Sequence, residues 1–236
     1  MKLGFIGYGM VGKTTGEWFQ SNTEHTLSIV DPKFGATGGM YDLDAIFISV
    51  PVDTQKDGEQ DLTQLYDAMD RAAEGAPKHI FIRSTVLPGT CQQLSLMYGV
   101  DVWAMPEFLS ERTAEEDYDF SDAFTGCPDS EFLKELFNGK KNFTCVTNRE
   151  AELGKYAHNV FAALKVDFFN KIYDYCEAGT DLDFNKVRAV ALESGYINRM
   201  HTMVPGPDGQ VGFGGKCLPK DLKAFAFKTE DEQLKK

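Results

Sequence analysis

Residues 2–12 read KLGFIGYGMVG, a short apolar run that turns into glycines, and the TTGEWFQS stretch after it has helix-compatible content. The expected order is strand, tight turn, helix. Gly7-Tyr8-Gly9-Met10-Val11-Gly12 fits G-x-G-x-x-G, a weak pattern by itself in a chain with 22 glycines. Its place between a strand and a helix is what gives it meaning. The first two glycines permit the turn and a close approach of backbone to a pyrophosphate. The third permits close helix packing, and the helix N-terminus offers N–H groups and positive dipole to phosphates. Asp31 ends the next strand 19 residues after Gly12. A carboxylate there accepts hydrogen bonds from ribose hydroxyls and repels a 2′-phosphate, so the expected cofactor is NAD rather than NADP. Gly7, Gly9, Met10, Val11, Gly12 and Asp31 are the residues expected to bind it.

Working outward, LSIVD (27–31), AIFISV (45–50) and HIFIRST (79–85) continue the strands, with the helical LTQLYDAMDRAAEG between the last two. VDVWAMP (100–106) and NFTCVT (142–147) read as further strands, and SEFLKELFNG as the helix between them. Strands alternating with helices over this length predict an α/β fold, a Rossmann-like, doubly wound parallel sheet covered on both faces. The texture changes near residue 148. From Glu150 to Ala178 there is no proline, and Leu153, Ala157, Val160, Phe161, Leu164, Phe168, Ile172 and Tyr175 recur at steps of three and four. This predicts one long helix with an apolar face. DFNKVRAVALESG (183–195) reads as a shorter helix closed by glycine. The expected division is an NAD-binding domain, 1–148, and a smaller all-helical domain, 149–236.

A chain of 236 residues with 42% hydrophobic content can bury a sizeable core. Its net charge of −12 opposes nucleic acid and anionic membrane as partners. No segment approaches the roughly 20 apolar residues that cross a bilayer, and no signal-peptide core precedes the glycine motif, so a cytoplasmic location is expected. Five widely spaced cysteines lack the pairing of a zinc site, and no other cluster has metal-ligand spacing; no metal is expected. Cys91, Cys127, Cys145 and Cys176 read as packing residues. Cys217 differs. It lies in GFGGKCLPKD (212–221), where Lys216 and Lys220 flank the thiol and the glycines before it could expose backbone N–H groups, the setting of an activated nucleophile.

That stretch, together with RSTVLPGT (83–90), MPEFLSERTA (105–114) and ELGKYAHNVFAALKVDFFNKI (152–172), resembles the UDP-glucose/GDP-mannose dehydrogenase family. The resemblance runs in order through nearly the whole chain. It implies two successive NAD-dependent oxidations that take a nucleotide-sugar alcohol to a carboxylate. Under it, Cys217 is the nucleophile that holds the aldehyde as a thiohemiacetal and then a thioester. Lys155 and Asn159, one helical turn apart, stabilise the developing oxyanion. Asp221 holds a water or orients Lys155, Glu107 is the base for thioester hydrolysis, and Thr85 positions the water. The resemblance further implies Val50, Ser84 and Thr85 on the cofactor side. On the sugar side it implies Glu107, Phe108, Leu109, Glu111, Lys155, Asn159, Arg199, Phe213 and Gly214. His158, His201, Asp117, Asp119 and Asp122 read as structural or solvated. In the family the helix equivalent to 150–178 forms a dimer core, so a homodimer is expected.

Two departures stand out. Family members usually continue into a second α/β domain that binds the nucleotide half of the substrate, and this chain stops about fifteen residues after Asp221. The Asp31–Ala45 stretch is also too short for the helical excursion usual there. Besides the sugar-nucleotide dehydrogenase, two alternatives follow: a dehydrogenase of a smaller alcohol or sugar acid, and a non-catalytic NAD-binding dimerisation module.

Overall fold

The computed structural model describes residues 1–110, 112–215, 217–231 and 234. In chain order it contains β1 (Lys2–Ile6), α1 (Met10–Asn22), β2 (Thr26–Asp31), β3 (Ala36–Thr37), β4 (Ala45–Ile48), β5 (Asp53–Thr54), β6 (Gln60–Asp61), α2 (Thr63–Glu74), β7 (His79–Ile82), α3 (Thr90–Tyr98) and β8 (Val102–Ala104). These are followed by α4 (Ala114–Phe120), β9 (Ala123–Thr125), α5 (Ser130–Phe137), β10 (Phe143–Cys145), α6 (Asn148–Glu177), α7 (Phe184–Leu192) and α8 (Leu218–Thr229). The chain forms two compact units, Met1–Lys155 and Tyr156–Lys236. Their division falls within α6, two turns past its start at Asn148.

The first unit is built on a six-stranded sheet of order β3-β2-β1-β4-β7-β8. All neighbours are parallel except the short β2–β3 pair. Side chains of a strand alternate between faces, and here the alternation sorts them by chemistry. Phe5, Phe47 and Phe81 lie in one register row, their rings stacked with centroids 5.1 and 5.2 Å apart. They face Trp18 and Phe19 of α1 and Leu133, Leu136 and Phe137 of α5 in one buried cluster. The next row, Ile6, Ile48, Ile82 and Ala104, points the other way. It joins Leu65, Met69 and Ala72 of α2 and Cys91 and Leu94 of α3. Each helix is therefore fixed to a face by the residues it can bury there, and the sheet is doubly wound.

One expectation holds and another changes in detail. The Asp31–Ala45 link is indeed short: a 3₁₀ turn at Pro32–Phe34 leads into antiparallel β3, with no α-helix between β2 and β4. The strand expected at 142–147 forms over Phe143–Cys145, but it pairs with β9 in a separate two-stranded parallel sheet and does not extend the main one. β9 was not foreseen, nor were α3, α4 or the two-residue β5–β6 pair.

In the second unit, Phe169 and Cys176 of α6 bury against Phe184 of α7 and Val204. Asp183 caps α7, accepting from the backbone N–H groups of Asn185 and Lys186. Tyr156 stacks on Phe225 of α8 at 5.9 Å. Of the expected apolar face of α6, Leu153, Phe161, Leu164, Phe168 and Tyr175 are exposed, Phe161 and Tyr175 each to 66%. Val160 is buried instead. Among the described residues no helix is long and apolar enough to cross a membrane.

One buried cation stands against the aromatic face. Lys141 Nζ donates to the Tyr118 carbonyl oxygen and lies 4.2 Å from the centre of that ring and 5.4 Å from that of Trp18. Burial, helped by the charge of Arg83, lowers its pKa from 10.5 to about 8. The unfolded chain holds this proton to the higher value, so folding disfavours the charged amine below about pH 8, and the penalty fades as pH rises from about 8 to 10.5. Lys141→Met is therefore expected to be more stable than the parent at pH 7, by on the order of 1–3 kcal/mol. Urea unfolding at pH 7 and pH 10 checks this: the advantage should shrink at the higher pH.

Candidate functional site

The strand order reverses between β1 and β4, which places a crevice at the carboxyl ends of these strands. Gly7 there has φ +84°, and a Cβ on it would lie 2.6 Å from the Ser49 carbonyl oxygen. A Cβ on Gly12 would lie 2.1 Å from the carbonyl oxygen of Gly7, so only glycine lets α1 pack this close to the turn. Gly9 differs, since a Cβ there would meet nothing within 4 Å. The protein's own packing does not need that glycine, whereas a phosphate approaching the backbone does. Gly9 is also the N-cap of α1 and provides no side-chain cap, so the first-turn N–H groups at Met10 and Val11 keep their capacity for an anion.

Asp31 is buried, and its carboxylate fixes the turn: Oδ2 accepts from Tyr8 N–H at 2.5 Å and Oδ1 from Lys33 N–H at 2.9 Å. Each oxygen has a second lone pair left for a ribose hydroxyl. Uncapped helix, open glycine and acidic strand end together fit a dinucleotide. Val50, Ser84 and Thr85 follow β4 and β7 on the other side of the crevice, half-buried. Ser84 Oγ donates to the Val50 carbonyl oxygen at 2.6 Å. Gln60 of β6 clamps the same loop from both ends of its amide, donating to the Thr85 carbonyl oxygen at 3.1 Å and accepting from Leu87 N–H at 2.9 Å.

Beyond β8 the backbone leads to Glu107. Its Oε1 lies 3.4 Å from Lys155 Nζ, with side chains only 10% and 7% exposed, and Lys155 also sits 5.1 Å from the Phe108 ring centre. Glu107 Oε2 accepts from Leu109 N–H at 2.6 Å, which curls the loop back on the carboxylate. Asp117, expected to be solvated, anchors the end of this loop by accepting from Ser110 N–H and Thr113 Oγ1. Glu111 lies outside the described residues.

The start of α6 holds these parts in place. Asn148 uses its side-chain amide as a surrogate strand, accepting from Ala104 N–H at 2.8 Å and donating to the Val102 carbonyl oxygen at 3.0 Å. One turn on, Glu152, 3% exposed, accepts from Gly89 N–H at 2.6 Å and Cys91 N–H at 2.8 Å. Burial raises its pKa, and those two hydrogen bonds pull it back down. Sequence reading singled out none of Gln60, Asn148 and Glu152, because each acts on a partner at least 25 residues away.

In the second unit, Asn159 Nδ2 donates to Asp221 Oδ2 at 2.6 Å, and Lys220 Nζ donates to Asp221 Oδ1 at 2.6 Å. Asp221 is fully buried. The charge of Lys220 is thus met by this carboxylate. Asn159 Oδ1 faces His158 Nδ1 at 3.0 Å. Burial, with Lys165 and His158 nearby, lowers the pKa of His201. Cys217 is exposed and is the N-cap residue of α8, and Asp221 N–H donates to its carbonyl oxygen at 3.0 Å. Gly212 and Gly215 ahead of it have φ +93° and +75°. Asn170, buried on α6, accepts from Gly212 N–H at 2.8 Å and ties the glycine loop down. Phe213 is half-buried, and Gly214 and Arg199 are exposed. Lys216 lies outside the described residues. Among the described residues no cluster of His, Cys, Asp and Glu could hold a metal ion.

Residues 32–138 match the family model for the UDP-glucose/GDP-mannose dehydrogenase family, NAD binding domain, and residues 149–236 that for its central domain. NAD is accordingly the cofactor of this fold. The chain is 34% identical over 207 residues to a UDP-glucose 6-dehydrogenase of Rickettsia conorii, covering 81% of this chain and 46% of that protein. It is 33% identical over 213 residues to a GDP-mannose 6-dehydrogenase of Pseudomonas aeruginosa, covering 80% and 47% respectively. It spans about half the length of the curated relatives it matches. A solved UDP-glucose dehydrogenase from Pyrobaculum islandicum superposes with a TM-score of 0.80 at 28% identity, over 97% of this chain and 64% of that one.

Asp31→Ala removes the acceptor that fixes the turn, and with it a carboxylate placed where it could accept from a ribose hydroxyl. It is expected to weaken NADH binding about tenfold or more, the equivalent of about 1.4 kcal/mol for each factor of ten. Titration of coenzyme fluorescence measures this directly.

Proposed function

We propose that this chain, which belongs to the UDP-glucose/GDP-mannose dehydrogenase family, catalyses the NAD-dependent four-electron oxidation of a nucleotide sugar's C6 alcohol to the carboxylate. The observation that carries the reading is a pair of polar side chains one turn apart on α6. Lys155 and Asn159 are both buried, and each engages a carboxylate, Glu107 and Asp221 respectively. Burying such groups costs free energy that a purely structural helix would avoid.

Each residue then has a task. The Lys155 ammonium and the Asn159 amide donate to the substrate oxygen as its proton passes to a water and it becomes a carbonyl. NAD, when bound, accepts the hydride in each of the two oxidations. Cys217 sits at the N-terminal end of α8, where positive dipole favours negative charge on sulfur, and its exposure leaves it open to attack the aldehyde carbon. Sulfur bonds to carbon, the carbonyl oxygen takes up a proton, and loss of that proton and a second hydride gives the thioester. Glu107 takes a proton from a water that Thr85 positions. The hydroxide adds to the thioester carbon, the carbon–sulfur bond breaks, and the thiol is restored. Asp221 fixes Asn159 and meets the charge of Lys220. The sugar contacts are assigned to Glu107, Phe108, Leu109, Glu111, Lys155, Asn159, Arg199, Phe213 and Gly214. A cytoplasmic setting suits a mechanism that needs a reduced thiol.

A homodimer through α6 is part of the reading. Its support is the run of exposed Leu153, Phe161, Leu164, Phe168 and Tyr175 along one helix, more apolar surface than a lone chain usually leaves open. Light scattering is expected to give the mass of two chains; one chain in dilute buffer would remove the dimer.

Incubated with NAD and UDP-glucose, the chain is expected to form two NADH per sugar consumed. Cys217→Ser should yield no carboxylate. A panel of UDP- and GDP-sugars followed at the NADH absorbance band tests the reading, and no turnover on any of them would overturn it.

A further inference from the structure

The helix α3 begins directly after the loop that carries Ser84 and Thr85, and it provides no side-chain cap of its own. Its N-cap residue is Gly89, with φ +103°. The orphan N–H groups of its first turn are met from 61–63 residues away by Glu152, whose two carboxylate oxygens take Gly89 N–H and Cys91 N–H. A carboxylate at a helix N-terminus is favoured by the dipole, and these bonds to a charged acceptor are stronger than neutral ones. Glu152 is also three residues before Lys155 on α6, so the two share a helix face.

One side chain thus spans two parts of the constellation. The Ser84–Cys91 segment is fastened to Val50 by Ser84, to β6 by Gln60 and to α6 by Glu152. Only the last attachment ties the Thr85 loop to the helix that bears Lys155. We propose that Glu152 is a positioning residue for the oxidation, setting the Thr85 loop and the Lys155 ammonium in one register. The inference rests on the function proposed above. Cap and helix spacing also explain why a buried carboxylate is kept here: its charge is met chiefly by the N–H groups at the start of α3, with Arg149 adding to it.

Glu152→Gln keeps the shape but loses one acceptor, because an amide presents one oxygen where the carboxylate presents two. The expected result is a kcat at least tenfold lower with NADH affinity within threefold of the parent, since Gly7–Gly12 and Asp31 are untouched and the bonds of Ser84 to Val50 and of Gln60 to the loop keep its cofactor side attached. Hydrogen exchange of the Gly89 and Cys91 amides should speed up in the same variant. In combination with Thr85→Ala the losses should be less than additive: the double variant should be faster than the product of the two single losses, because the Thr85 part of the role is already gone, whereas a general loss of stability would add. If Glu152→Gln fails to fold, Glu152→Asp, which keeps the charge and shortens the reach, serves for the same measurements. Full kcat in the folded variant, unchanged amide exchange, or additive losses would each overturn the positioning role alone. A parent chain that turns over no sugar nucleotide would overturn the functional reading and this role with it.

Discussion

A parallel sheet must bury both faces, and in this chain that requirement is met by sorting rings to one side and aliphatic chains to the other. The stacked row of Phe5, Phe47 and Phe81 is the clearest expression of it. A slip of one residue in any of these strands would put isoleucine among the aromatic rings of α1 and α5 and phenylalanine among the aliphatic side chains of α2 and α3. Register is thereby fixed across β1, β4 and β7. With it come the positions of their carboxyl ends, where Gly7, Val50, Ser84 and Thr85 stand. The chemistry proposed for this protein depends on loops, and the loops inherit their placement from the pleat beneath them.

The same logic distinguishes two helix N-termini that lie close to these strand ends. That of α1 has no side-chain cap and begins at a glycine with open space around it. That of α3 is closed by Glu152. Two similar sources of positive potential are therefore used differently, one left for a phosphate and the other consumed in holding a loop to α6.

Much of this was legible in the sequence, and the pattern of failures has a physical cause. Strands β1, β2, β4, β7 and β8 were read because their apolar runs are local, and α6 because its periodicity extends over 30 residues. The glycine motif and Asp31 were read because turn geometry and charge act within a few residues. What escaped was non-local. α3 has neither a capping residue nor a strong apolar stripe, since its cap comes from α6, and so nothing local marks its start after Pro88-Gly89. β9 and β10 are three residues each and define each other only by pairing. Gln60, Asn148 and Glu152 are ordinary polar residues in sequence, and only their distant partners give them roles. Family resemblance pointed to Lys155, Asn159, Glu107 and Asp221 one by one, with Asp221 expected to hold a water or orient Lys155; that Lys155 meets Glu107 and Asn159 meets Asp221, and that these groups are buried, was not legible.

The two margins of the main sheet have one more consequence. On one side, β3 turns back on β2, and Gly38 N–H donates to the Ile29 carbonyl oxygen while Ser28 Oγ donates to that of Gly39. On the other, the Asn148 amide and Gly126 N–H take the backbone groups of Val102 and Ala104. Neither flank offers a long row of unmet backbone donors and acceptors to a passing strand. Self-templated stacking into fibrils is thus discouraged by the molecule's own terminations, and any association between copies is steered toward side-chain surfaces and away from the sheet.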